Sequence, residues 1–182
     1  MTDSTTAAKD PLDRPALALH WTIAILIIGM IPFGVYMDDL PDGSALKAAI
    51  YPFHSGLGLI FLVLVVWRSA LRLRRGFPEP AGRCAIWQRH LARTVHWLLL
   101  LGALAMPIAG IAHALGEGRE ISVFGLFSFG RIAPDEALAE WAGAVHENAA
   151  FALIALIALH LVGALKHHWI DRDGTLTRML GR

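Results

Sequence analysis

The stretch at residues 141–173 constrains the fold more than any other part of the chain. Between Ala149 and Leu165 every residue is apolar except His160. With its flanks this run is long enough to cross a bilayer as a helix, which takes about 20 residues. Ionisable side chains inside a spanning helix are rare and usually face the interior of a helix bundle. The stretch therefore predicts a transmembrane helix with a candidate functional histidine.

Three further apolar segments precede it, at residues 16–37, 50–71 and 94–115. The chain is 55% hydrophobic and 17% charged, which is more apolar than an ordinary soluble domain. Four such segments with short connections predict an all-α protein, an integral membrane four-helix bundle. We expect a flexible N-terminus at 1–15, the bundle at 16–168 and a polar tail at 169–182. The single cysteine, Cys84, excludes an internal disulfide and a cysteine-ligated iron–sulfur cluster.

The charged residues predict the orientation of the bundle. Seven arginines lie between positions 68 and 93, with one acid, Glu79. The other two loops lean acidic. Because positive residues concentrate on the cytoplasmic side, we expect both termini and the arginine-rich connector in the cytoplasm.

The spacing of the histidines predicts two pairs. His146 and His160 are 14 residues apart, which on an α-helix is about 21 Å of rise and about 40° short of four turns. In an antiparallel bundle His54 lies at the depth of His146 near the outer side of the membrane, and His20 lies at the depth of His160 near the cytoplasm. This arrangement suits two haem irons, each with two axial imidazoles. Zinc fits less well, because it takes four ligands in one place.

Other histidines leave alternatives open. His96 competes with His20 for the inner iron, although His20 is favoured. His167 is either a polar residue at a helix end or a proton-handling group for a quinone, since imidazole titrates near neutral pH. His113 is expected in solvent. Four glycines close to the histidines indicate either room for a flat cofactor or close helix contact; these are Gly56, Gly58, Gly143 and Gly163.

The fourth segment and tail carry the most specific motif of the chain, with a histidine at 146, another at 160 and then ALKHHWIDRDGTLTRML. This motif resembles the fourth helix and tail of the bacterial cytochrome b561 family, and the resemblance covers about residues 17–180. His20-Trp21 resembles the first-helix motif, His54-Ser55 followed by Arg68 the second, and His96 eleven residues before Pro107 the third. The resemblance implies two non-covalent b haems on His20, His54, His146 and His160. It also implies a quinone site by Trp21 and His167.

Members of this family include superoxide oxidases. The function that the resemblance favours is therefore oxidation of superoxide at the periplasmic side, with electrons passing through two b haems to ubiquinone. Lys47, Arg119 and Arg131 are the fixed positive charges of the outer loops and are the candidates for attracting superoxide. The first alternative is an electron-transfer subunit that docks on a dehydrogenase or hydrogenase as a redox partner protein. The second is a non-redox membrane anchor. The expected partners are the lipid bilayer, superoxide and ubiquinone, with no nucleic acid.

Overall fold

Four long helices dominate the computed structural model, which describes residues 13–78, 81–82 and 84–181. They are α1 (Arg14–Asp38), α2 (Ala45–Arg75), α3 (Ile86–Gly116) and α4 (Glu136–Lys166). Each contains an apolar stretch long and uncharged enough to cross a membrane. The predicted membrane four-helix bundle is confirmed. The expectations for residues 1–12 and for Glu79 and Arg83 fall outside the described residues.

The helices extend beyond the apolar segments that predicted them. Ser44 begins α2 by accepting a hydrogen bond from the Lys47 N–H group, and Asp135 begins α4 by accepting one from Leu138. Such side-chain caps satisfy the free N–H groups of a first helical turn. As a result, polar residues flanking each apolar run are helical, and the loops are shorter than the sequence suggests.

An apolar layer crosses the middle of the bundle. Leu153 and Val65 are fully buried, and Phe61 is nearly so. Leu153 lies seven residues from both His146 and His160, which is halfway between them on the same helix face. The layer therefore separates two polar regions along the bundle axis. Large apolar side chains on the opposite helix faces are exposed, as expected for contact with lipid: Ile25, Val63, Leu101 and Val162.

A small β-hairpin interrupts the otherwise helical fold. Strands β1 (Ile121–Val123) and β2 (Phe127–Phe129) pair antiparallel within the loop that precedes α4. Phe124 at the turn has a positive φ of 54°, and its N–H group donates to the Pro52 carbonyl at 3.0 Å. The Ser55 hydroxyl donates to the Ser122 carbonyl. The hairpin thus covers the start of α2.

The hairpin lies at the end of the bundle where α2 and α4 begin. We call this end the hairpin end. The opposite end holds the α2–α3 connection and the tail, and we call it the connector end. The segment predicted as a polar tail contains regular secondary structure. A π-helical turn at His167–Asp171 continues α4, and a short helix α5 (Thr175–Met179) follows.

Candidate functional site: two histidine pairs

His54 and His146 face each other at the hairpin end. Their ring centroids are 6.3 Å apart and the planes are inclined at 73°. His54 comes from α2 and His146 from α4. The structure therefore brings together the two residues that the sequence paired at this depth.

His20 and His160 face each other at the connector end. Their ring centroids are also 6.3 Å apart, with an angle of 76° between the planes. His96 of α3 lies beside the same pair, with its ring centroid 5.2 Å from that of His160. The phenyl ring of Phe77 stacks on the other side of His96 at 5.1 Å.

The ring separations can be tested against bis-imidazole ligation of a metal. With a metal–nitrogen bond of about 2.0–2.1 Å and a nitrogen about 1.1 Å from the ring centre, two opposed imidazoles have centroids about 6.3 Å apart. Both the His54–His146 and the His20–His160 separations fit this value. The 5.2 Å between His96 and His160 is too short for a metal between them. The geometry therefore favours His20 over His96 as the partner of His160.

The surroundings of His146 fix its ring for such a role. Its Nδ1 atom lies 2.7 Å from the Met106 carbonyl, which can only accept, so Nδ1 carries the proton and Nε2 keeps a free lone pair. Ligating histidines commonly donate their second nitrogen to a carbonyl in this way. Gly110 gives the ring its space, since a Cβ atom there would lie 2.9 Å from Cε1 and Nδ1. Gly34 has the same relation to His54, at 3.2 Å.

Two predicted quinone-site residues lie at the connector end in separate contacts. The indole N–H group of Trp21 donates to the Met179 carbonyl at 2.8 Å. His167 instead faces Asp173, with Nδ1 2.7 Å from a carboxylate oxygen. A mostly apolar cavity of about 370 Å³ opens next to Trp21, lined by Leu17, Ala18, Trp21, Met179, Leu180 and Gly181.

The His167 region has donor atoms for a metal ion as well. Ligand atoms of His167, Asp171 and Asp173 lie within 4.8 Å of one another. The Lys166 ammonium group, however, already donates to both carboxylate oxygens of Asp171, at 2.8 and 2.6 Å. The arrangement is explained by these ion pairs, in which Asp173 is the partner of His167.

The three predicted superoxide-attracting cations all have carboxylate partners. Lys47 pairs with Asp42 at 2.8 Å, Arg131 lies 3.7 Å from Glu120, and Arg119 pairs with Glu117. The Arg119 guanidinium also lies over the ring of Tyr51, 4.9 Å from its centroid.

Lys47, Tyr51 and His54 follow at intervals of four and three residues, so they share one face of α2. Lys47 is thus one helical turn from Tyr51, over whose ring Arg119 lies, and Tyr51 is one turn from His54.

His113 is not in free solvent, contrary to the sequence expectation. Its Nδ1 atom lies 2.9 Å from the Ala139 carbonyl, and its Nε2 atom lies 3.4 Å from Glu117. Gly143 of α4 leaves room for the ring. Of the four glycines noted in the sequence, Gly143 and Gly56 thus serve close packing, Gly56 against Phe124, whereas a Cβ at Gly58 or Gly163 would meet nothing.

Tyr51, Gly34 and Gly110 are site residues that the sequence did not indicate. Their roles depend on distances across helices, and no spacing within one segment reports those distances. The Pro-x-x-Gly step at positions 107–110 is a local signal near Gly110, but it does not indicate a histidine on another helix.

Known proteins are similar to this chain along nearly its whole length. The sequence matches the family described as Prokaryotic cytochrome b561 over residues 12–182. It is 36% identical to cytochrome b561 homolog 2 of Escherichia coli K12, over 91% of this chain and 88% of that protein. It is 29% identical to cytochrome b561 homolog 1 of the same organism, over 93% and 96%. It is 27% identical to a protein of Yersinia pestis named probable superoxide oxidase CybB, over 90% and 92%. The family resemblance drawn from the sequence is confirmed.

Proposed function

Because this chain belongs to the prokaryotic cytochrome b561 family, we propose that it is a di-haem cytochrome b that oxidises superoxide and reduces ubiquinone. Family membership implies haem b binding, a redox role and a multi-pass position in the bacterial inner membrane. The count of two haems, the superoxide donor and the ubiquinone acceptor are the proposal. When bound, haem b supplies one-electron redox chemistry.

The observation that carries the proposal is the pair of equal imidazole separations at the two ends of the bundle. His54 and His146 would hold one haem, and His20 and His160 the other, each pair with centroids 6.3 Å apart. Two matched pairs on opposite sides of an apolar layer favour two cofactors over one. The His146 tautomer, fixed by the Met106 carbonyl, directs its free nitrogen to this task.

Superoxide is an anion, so it would approach the positive groups of the hairpin end. Arg119 lies over the ring of Tyr51, and Lys47 and His54 lie one helical turn before and after Tyr51 on α2. The carboxylates of Asp42 and Glu117 offset these cations in part, so their attraction for a small anion would be local. Arg131 contributes less, because its side chain is 78% exposed and exposed charges are screened by salt. The relative named probable superoxide oxidase supports this choice of donor.

Ubiquinone would bind at the connector end, in the apolar cavity beside Trp21. Two superoxide anions give two molecules of dioxygen and two electrons, and one ubiquinone takes these electrons and two protons to form ubiquinol. His167 is the candidate for passing protons, and two observations support it: its ring is half-buried and Asp173 holds its Nδ1 atom. A histidine oriented by a carboxylate is a suitable proton donor near neutral pH.

The test is to mix the purified protein with an enzymatic superoxide source and a soluble ubiquinone analogue. We expect haem reduction by superoxide, abolished by added superoxide dismutase, and formation of one ubiquinol for two superoxide anions. Arg119→Glu should slow haem reduction, whereas His167→Ala should slow only its reoxidation by quinone. Arg74→Glu, which replaces an exposed arginine at the connector end, is the matched control for Arg119→Glu.

Failure of superoxide to reduce the haems faster than it dismutates would contradict the proposed donor. If a reduced dehydrogenase or hydrogenase then reduced them instead, the chain would be an electron-transfer subunit.

A further inference from the structure

Arg68 and Arg72 occupy the interior face of α2 near its C-terminal end. They continue a stripe that begins with Phe61 and Val65, at intervals of four, three and four residues, which places all four on one helix face. Val65 is fully buried, and both arginines are half-buried. These side chains therefore lie on the interior face of α2 and are partly shielded from their surroundings.

The helix register places this pair beside the connector-end histidines. Arg68 follows His54 by 14 residues on α2, and His160 follows His146 by 14 residues on α4. Because His54 and His146 face each other and both helices run in the same direction, Arg68 lies at the depth of His160. The charges of both arginines act on His20 and His96, and that of Arg68 also acts on His160.

Several polar groups of this cluster lack partners among the residues that the structure describes. Among the described residues no carboxylate pairs with Arg68 or Arg72, whereas Arg75 on the same helix pairs with Asp13 at 3.2 Å. The Nε atom of Arg72 is buried without a hydrogen-bond partner, and so is the Ser69 hydroxyl. Arg72 is otherwise held by the Gly76 carbonyl and by the ring of Phe77, which stacks on His96.

Buried cations without a counter-charge are costly, and buried polar atoms without partners are rare. We propose that Arg68 and Arg72, with Ser69, form a carboxylate-binding site that receives the propionate groups of the haem held by His20 and His160. Guanidinium groups bind carboxylates through paired hydrogen bonds, and haem b carries two carboxylates. This inference rests on the proposed di-haem function. The phosphate of an anionic lipid offers the same chemistry, but it would have to reach an interior face of α2.

The test uses Arg68→Gln and Arg72→Gln, purified in a neutral detergent, with Arg74→Gln as the matched control. The readouts are the haem-to-protein ratio and the midpoint potential of each haem, with the connector-end haem assigned from its loss in His160→Ala. We expect the connector-end haem to dissociate roughly 10- to 100-fold more readily. Where it is retained, its potential should fall, because a nearby positive charge favours the reduced state. The hairpin-end haem and Arg74→Gln should keep wild-type values.

A second variant covers the possibility that Arg68→Gln does not fold. Arg68→Lys keeps the charge but loses the paired hydrogen bonds, so it should retain the haem with a smaller shift in potential. The inference is overturned if Arg68→Gln and Arg72→Gln match Arg74→Gln in both readouts. The inference is also overturned if Arg68→Gln and Arg72→Gln differ from Arg74→Gln only when the proteins are placed in vesicles containing phosphatidylglycerol, because the bound anion is then a lipid headgroup. A wild-type ratio of one haem per chain would instead refute the di-haem proposal itself.

Discussion

Replacing Gly110 by alanine tests how the His146 ring is positioned. The new Cβ atom would lie 2.9 Å from both Cε1 and Nδ1 of the ring, so either the ring or α3 must move. The ring cannot yield freely, because its Nδ1 atom is bonded to the Met106 carbonyl one turn earlier on α3. Overpacking of this kind costs about 1–3 kcal/mol. At 1.4 kcal/mol per factor of ten, the hairpin-end haem should bind about 5- to 150-fold more weakly.

The assay is the haem-to-protein ratio after purification and after dilution, with low-spin haem signals followed by electron paramagnetic resonance. Gly29→Ala is the control, because a Cβ atom there would meet nothing and alanine favours a helix by about 1 kcal/mol over glycine. Gly29→Ala should keep both haems and gain stability. A Gly110→Ala protein with wild-type haem content and signals would refute the argument that Gly110 makes space for a ligating ring.

Two further predictions concern the membrane topology of the bundle and the stability of the tail. Reporter fusions after Arg75 and at the C-terminus should report cytoplasm, and fusions after Asp42 and Glu120 should report periplasm; the inverse pattern would place superoxide oxidation on the wrong side. Burial raises the pKa of Asp173, but hydrogen bonds from Thr175 and His167 outweigh it and hold the pKa below its usual 3.8. The stabilisation is thus present above about pH 4 and lost as pH falls through the folded-state pKa. Asp173→Asn should therefore make the tail more sensitive to proteolysis at pH 7, with a difference that disappears in acid.

The sequence predicts the helices and the histidine pairs because both depend on periodicity within a segment. A run of apolar residues specifies a spanning helix regardless of its neighbours, and the interval of 14 residues fixes the relative depth of His146 and His160. Because successive helices run antiparallel, His54 then lies at the depth of His146, and His20 lies at the depth of His160. Only the choice between His20 and His96 needs a distance, since both stand at the same depth beside His160.

The hairpin and the tail could not be predicted for a physical reason. Phe124 holds a positive φ, which is unfavourable for an aromatic residue by itself, and it does so where its ring meets Gly56 and its N–H group bonds to Pro52. Similarly, the tail folds back because Trp21 holds Met179 and His167 holds Asp173. The contacts of Phe124 with Pro52 and of Trp21 with Met179 join residues far apart in the chain, and neither partner shows the need for the other in its local sequence.

Asp42 and Lys47 give a prediction in which two substitutions act in opposite directions. Hydrogen bonding from Lys47, with its charge, keeps the pKa of the Asp42 carboxyl below its ordinary value, so Asp42 is ionised at neutral pH and offsets Lys47. Asp42→Asn should therefore accelerate haem reduction by superoxide, and Lys47→Gln should slow it. Because the Asp42 side chain is almost fully exposed, both changes should be small and should shrink as salt rises. Stopped-flow measurement at low and high ionic strength checks both. If both variants changed the rate in the same direction, a loss of loop structure would explain it, and Lys47 would have no electrostatic part in the approach of superoxide.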